Sequence, residues 1–267
     1  MLEFSGDISV AIKQEKADLS WIVDDVLVIV LLNKNTNFKG TFKPYELELY
    51  GKKMWEWVAL CADECEMKTL PCTEESDILS LIKPALTNSK WTAVFYSDTP
   101  LLTRETFLEV MEYARYRDLN VLKLSRGYVF NTEYIKNATN ISSSQIVYFN
   151  EEDFLTCYDY KQLALAGEIL KSRILDFHLK NGVYIKDLTT THIDSDVVIE
   201  SGTIIEPNNI IKGQSYIGKN CKIGANNYIE NSIISQGVIL SSSYIVESKI
   251  SENTTIGPYT ELRKKSI

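Results

Sequence analysis

The chain has no basic tract longer than Arg263-Lys264-Lys265, and its 28 Lys and Arg against 36 Asp and Glu leave a net charge of −8. A surface of that sign repels a phosphate backbone, which excludes nucleic acid as a partner class. Long apolar runs are absent as well. The strongest, residues 26–32 (VLVIVLL), is far too short to span a bilayer, and residues 1–15 mix charges without the apolar centre of a secretory leader. A cytoplasmic protein without membrane contact is expected. Cysteine is scarce and odd in number, with only Cys61, Cys65, Cys72, Cys157 and Cys221, which argues for free thiols in a reducing compartment over a disulfide scaffold. Cys61 and Cys65 lie one helical turn apart but lack the second pair of a zinc site, so packing is their expected role. The two histidines, His178 and His192, fall outside any catalytic pattern and are expected in solvated or capping positions. What remains is ordinary globular material. Hydrophobic residues make up 45% and charged residues 24% of the 267, which rules out disorder and collagen-like repeats and leaves room for one large domain or two smaller ones.

The C-terminal third counts in sixes. An isoleucine recurs at Ile193, Ile199, Ile205, Ile211, Ile217, Ile223 and Ile229, and after one-residue slips the series continues through Ile234, Leu240, Ile245, Ile250, Ile256 and Leu262. Neither a helix nor an alternating strand has this period; a parallel β-helix does, with three short strands per coil and one aliphatic residue of each hexad turned to the axis. The series predicts about four coils, since stacking alone hides the apolar face of each. The Arg263-Lys264-Lys265 end reads as a charged stop that discourages edge pairing.

The first two-thirds alternate between strand and helix patterns. Residues 21–32 read as a buried strand followed by the polar turn 33–37. A helix is expected after Gly51, with Met54, Trp57, Val58 and Cys61 on its core face, and a second buried strand over residues 91–96 ends in Ser97-Asp98-Thr99-Pro100. Thr103 is placed to cap a helix carrying Phe107, Val110, Met111 and Ala114 on one face. Such alternation implies a parallel sheet with ligands at the carboxyl ends of its strands, so the 33–37 turn and Asp98 share one rim. Residues 159–180 form a long amphipathic connector with Leu163, Ala166, Leu170, Ile174 and Phe177 on one side and Gly182 near its stop. The expected division is an α/β domain over residues 1–182 and a β-helix over 183–267.

Taken in order, the segments VIVLLNKNTNF, GKKM, YSDTPLLT, GYVFNTEYI, YDYKQL and the hexad stretch IGPY…LR resemble the bacterial bifunctional N-acetylglucosamine-1-phosphate uridylyltransferase/glucosamine-1-phosphate acetyltransferase family. The resemblance implies a Rossmann-like nucleotidyltransferase domain followed by a short left-handed parallel β-helix, assembled as a homotrimer. The family's loop LAAGxGTRM falls on Leu31, Leu32, Asn33, Lys34, Asn35, Thr36, Asn37 and Phe38, so both glycines and the arginine have become asparagine. Asn tolerates positive φ better than other non-glycine residues, so Asn33 and Asn35 are expected to keep the turn while narrowing the phosphate cradle. Asn37 cannot supply the charge that stabilises a developing pyrophosphate. By this resemblance Asn33, Lys34, Asn35, Thr36, Asn37 and Lys43 are the nucleotide-binding candidates. Asp98 stands where the family binds Mg²⁺, with Tyr158 in place of the second ligand and Asp159 beside it as a substitute. The alternative reading of Asp98 is a loop residue capping the following helix. No Gln occurs between Met54 and Tyr96, so the base-reading segment is missing, and the sequence closes just past IGPY…LR, where acetyl transfer is not expected.

Three functional classes follow. The first is a degenerate sugar-1-phosphate nucleotidyltransferase acting as a binding, regulatory or assembly protein, with a nucleotide, sugar phosphate or protein partner. The second is an active enzyme making a UDP-sugar with Mg²⁺, using Lys34, Lys43 or Lys52 against phosphates and Asp98 with Asp159 for the metal. The third is a purely structural oligomerisation module.

Overall fold

The computed structural model describes residues 20–34, 38, 43–73, 76–141 and 146–267. They form two compact units that divide between residues 166 and 167, inside one continuous helix. No helix among them is long and apolar enough to cross a membrane.

In the first unit β1 (Val26–Asn33) lies between two parallel neighbours, β2 (Glu66–Cys72) and β3 (Trp91–Tyr96). The hairpin of β4 (Val121–Leu124) and β5 (Gly127–Asn131) adds antiparallel to β3, giving the order β2-β1-β3-β5-β4. The unbroken apolar run of β1 has a simple cause: both faces are covered. Val26, Val28 and Val30 join Ala93, Phe95 and the helix residues Val58, Phe107, Val110 and Met111 on one side. Leu27, Ile29 and Leu31 join Val94, Leu79, Ile82, Phe130 and Ile135 on the other. Helix α1 (Met54–Leu60) and helix α2 (Arg104–Tyr116) supply the first layer, and Thr103 caps α2 by accepting from the Thr106 amide. Cys61 is buried in that layer, and burial pushes its thiol up. The strand expected over residues 21–32 begins later. Ser20–Val23 is a helical turn, and Asp25, at φ 61°, reverses the chain into β1.

Helix α3 (Tyr160–Lys180) buries Ala166, Leu170 and Ile174, and the i+4 series continues to His178 in place of the expected Phe177. His178 is therefore core, contrary to the solvated or capping role expected for it. It is 1% exposed, neither ring nitrogen has a hydrogen-bond partner among the described residues, and burial lowers its pKa to about 4. His192, by contrast, is exposed.

The second unit is a left-handed parallel β-helix with two five-stranded faces and one four-stranded face, amounting to four complete coils and two strands of a fifth. One face stacks Ile211, Ile229, Ile245 and Leu262, with Ile193 at its start. Between Ile211 and Ile229 a turn takes 18 residues and between Ile229 and Ile245 it takes 16, which is the origin of the slips in the hexad count. Just before the axial residues, polar side chains form internal ladders that satisfy backbone amides of the next coil. The Asn209 carbonyl accepts from both the backbone and side-chain N–H of Asn227, whose own carbonyl accepts from the Ser243 amide. Ser215, Ser232 and Ser248 repeat the device on another edge. One corner column alternates Gly202, Asn220, Gly237 and Asn253, all at positive φ. Each Asn side chain lies over the preceding glycine, so a Cβ on Gly237 would fall 2.3 Å from the Asn253 Oδ1.

Two stability measurements follow. Ile229→Ala should cost about 2–5 kcal/mol in urea unfolding, whereas the half-exposed Ile239→Ala should cost under about 1 kcal/mol. Because the folded pKa of His178 lies below its unfolded value, the unfolded chain binds the extra proton as pH falls. The melting temperature should therefore drop between pH 6.5 and about 4, and His178→Leu should flatten that part of the profile.

Candidate functional site

The carboxyl ends of β1 and β3 meet at one buried carboxylate. The Ser97 amide donates to the Leu31 carbonyl at 2.9 Å, and the Asn33 amide donates to the Ser97 Oγ at 3.0 Å, which fastens the two strand ends together. Beyond them Asp98 is 2% exposed, and the Asn33 Nδ2 donates to its Oδ2 at 2.9 Å. The expected juxtaposition of the β1 end with Asp98 is thus a direct hydrogen bond. Asn33 itself is the last residue of β1, paired with Cys72, and is not among the positive-φ residues, so it does not make the left-handed turn expected of it.

The charge partner of Asp98 comes from the β4–β5 hairpin. Arg126 Nε donates to Oδ1 at 3.0 Å and Nη2 donates to Oδ2 at 2.5 Å, a bidentate pairing. Its guanidinium carbon lies 4.0 Å from the centre of the Tyr96 ring, stacked against the aromatic face. Burial is the largest single influence and works against the guanidinium charge, but the hydrogen bonds to Asp98, its negative charge and the smaller pulls of Tyr96 and Cys72 together outweigh it, so the pKa is raised. Burial also pushes the Tyr96 phenol up to about 12, against a smaller opposing pull from Arg126. The hairpin reaches this place because Gly127 lies flush against β3, where a Cβ would come 2.6 Å from the Val94 carbonyl oxygen. From the other side the Cys157 amide donates to the Asp98 carbonyl at 2.7 Å. The sequence reading missed Arg126. Its available signal was a Ser125-Arg126 turn between two alternating runs, which marks a hairpin closing on the sheet.

The other candidates are dispersed. Lys34 is held by its amide to the Cys72 carbonyl at 3.1 Å, with an exposed side chain. Asn35, Thr36 and Asn37 lie outside the described residues. Lys43, at the entry to the turn Pro44–Glu46, makes an exposed ion pair with Glu46 at 3.3 Å, and that hydrogen bond raises its pKa. Asp159 starts α3, its Oδ1 accepting from the Lys161 and Gln162 amides at 2.8 and 3.0 Å. Phe38, where the family's loop has methionine, is buried with its ring edge-on to Tyr160 at 5.0 Å. The capping alternative for Asp98 is not what the structure holds, because Thr103 caps α2.

These residues do not fit Mg²⁺. A hard divalent cation takes oxygen ligands, and here three N–H donors already converge on the two Asp98 oxygens while an Asp159 oxygen serves the helix start. Among the described residues no group of three His, Cys, Asp or Glu is placed to hold a metal.

Comparison with known proteins matches residues 196–231 to the family described as Bacterial transferase hexapeptide (six repeats). The bifunctional protein GlmU of Clostridioides difficile (strain 630) is 46% identical over 105 residues, covering 39% of this chain and 23% of that protein. The bifunctional protein GlmU of Clostridium perfringens (strain SM101 / Type A) is 47% identical over 115 residues, covering 43% and 25%. A longer match, at 28% identity over 242 residues, joins 66% of this chain to 52% of the bifunctional protein GlmU of Acetivibrio thermocellus. The chain therefore spans between about a quarter and a half of the length of these relatives. Its hexads and the longer match, which extends well beyond them, make it similar to the bifunctional GlmU proteins, most closely over the β-helix.

Proposed function

We propose that the α/β unit is a degenerate sugar-1-phosphate nucleotidyltransferase domain of the N-acetylglucosamine-1-phosphate uridylyltransferase type. It binds a nucleotide or sugar phosphate without turnover, and the protein serves as a binding, regulatory or assembly subunit in the cytoplasm, extending over residues 1–182 with the β-helix over 183–267. The observation that carries this reading is the engagement of Asp98. The carboxylate expected to hold the metal is buried, paired bidentately with Arg126 and bonded to Asn33. Nucleotidyl transfer gains its rate by neutralising charge that develops on the leaving pyrophosphate, for which metal ions and unencumbered cations are used. Here the charge-bearing groups neutralise each other. Lys43, a second phosphate candidate, is paired with Glu46. The β-helix supports assembly: its outer faces carry half-exposed Ile210 and Ile239, apolar positions suited to contact with neighbouring copies in a homotrimer.

The purified protein, given UTP, N-acetylglucosamine-1-phosphate and Mg²⁺, should release no pyrophosphate above background in a coupled phosphate assay. Release that Asp98→Asn abolishes would establish the active enzyme instead. Sedimentation equilibrium should give three times the chain mass. A monomer at micromolar concentration would remove the assembly part of the proposal.

A further inference from the structure

A guanidinium presents donors along two edges, and Arg126 uses one of them. Its Nε and one N–H of Nη2 face Asp98, while Nη1 has no hydrogen-bond partner among the described residues. Asp98 is buried, with a side chain 3% exposed, whereas that of Arg126 is 30% exposed. The inner edge is thus locked in the protein and the outer edge reaches solvent. Tyr96 fixes the plane of the group from one face. Such a fork, with its rotamer already held, matches the spacing of phosphate oxygens and loses little freedom on binding. It stands at the carboxyl ends of parallel strands, where α/β sheets receive ligands. A second observation adjoins it. The Asn33 side chain, 3% exposed and bound through Nδ2 to the same carboxylate, leaves its Oδ1 buried without a donor among the described residues. A polar group in that state has an unmet partner, which a ligand hydroxyl or N–H would supply.

We infer that Arg126 stands in for a divalent cation. Its outer edge receives the phosphate oxygens of a nucleotide or a sugar phosphate, and binding proceeds without metal. Asp98 then has a role opposite to metal ligation: it orients the guanidinium and keeps it charged in a half-buried place. The inference rests on the reading of the α/β unit as a ligand-binding domain that no longer turns over.

The test is isothermal titration of the whole chain with UTP and, separately, with N-acetylglucosamine-1-phosphate, each in Mg²⁺ and in EDTA. At least one ligand should bind in EDTA, with affinity within about twofold of that in Mg²⁺. Arg126→Met, checked for native circular dichroism, should weaken it by about tenfold or more. Should that variant not fold, Arg126→Lys keeps the charge but loses the planar fork, and it should weaken binding several-fold. Binding of UTP alone identifies a nucleotide site, and binding of N-acetylglucosamine-1-phosphate alone identifies a sugar-phosphate site. Three results overturn the inference: no binding of either ligand in EDTA, affinity that rises more than about tenfold with Mg²⁺, or a folded Arg126 variant that binds as the native chain does. The two levels of interpretation fail separately. Binding without pyrophosphate release that a folded Arg126→Met variant retains unchanged defeats the inference alone, whereas Mg²⁺-dependent binding with release defeats both.

Discussion

A carboxylate taken out of water must find a counter-charge inside the protein, and the rim of the α/β unit is organised by how Asp98 meets that requirement. The partner, Arg126, lies on a hairpin that must sit tightly against β3 to deliver it, which explains why glycine occupies position 127. Asn33 ends β1 pointing at the same carboxylate, Ser97 receives the Asn33 amide, and the backbone of Asp98 anchors the chain at Cys157. Strand end, loop, hairpin and the approach to α3 are thus joined through one residue. Removing Arg126 would leave the Asp98 carboxylate buried and uncompensated, so the ion pair holds the rim in shape whether or not a ligand is present.

That arrangement accounts for the side chains around it. A glycine-rich loop is useful where backbone N–H groups must surround a phosphate charge-compensated by a metal. Here a guanidinium lies against the buried carboxylate, and the end of β1 supplies a side chain able to donate to Asp98 in place of bare backbone. Asn33 does so from an extended conformation. Tyr96 has a comparable role toward the cation, since its ring covers one face of the guanidinium.

Much of the fold could be read from the sequence because its period follows from burial. Each hexad repeats the same requirement at the axis, so the isoleucines announce the β-helix directly. Ile185 escaped the count because eight residues separate it from Ile193, the interval holding a local turn in which Asp187 accepts from Thr189 and Thr190. The helical turn Ser20–Val23 was hidden because its apolar residues run on into those of β1; only Asp24-Asp25 marks the break. His178 was legible in the i+4 series of α3 and was misjudged by residue type, since polarity suggested water where helical geometry dictates core. The contact of Asn33 with Asp98 followed from strand topology. The pairing with Arg126 did not, because hydrophobic pattern locates a hairpin without saying which way its turn residues point.

The corners of the β-helix differ in how they fill the space that a positive φ opens. At one corner Gly202, Asn220, Gly237 and Asn253 interlock because each amide side chain uses the space left by a missing Cβ one turn below. At another, Asn208, Asn226, Ser242 and Tyr259 all hold positive φ with no glycine among them, stacked through the Asn226, Ser242 and Tyr259 amides. A coil can thus turn its corner with or without glycine, and what passes from coil to coil is the left-handed backbone at the corner, with the side chain free to vary.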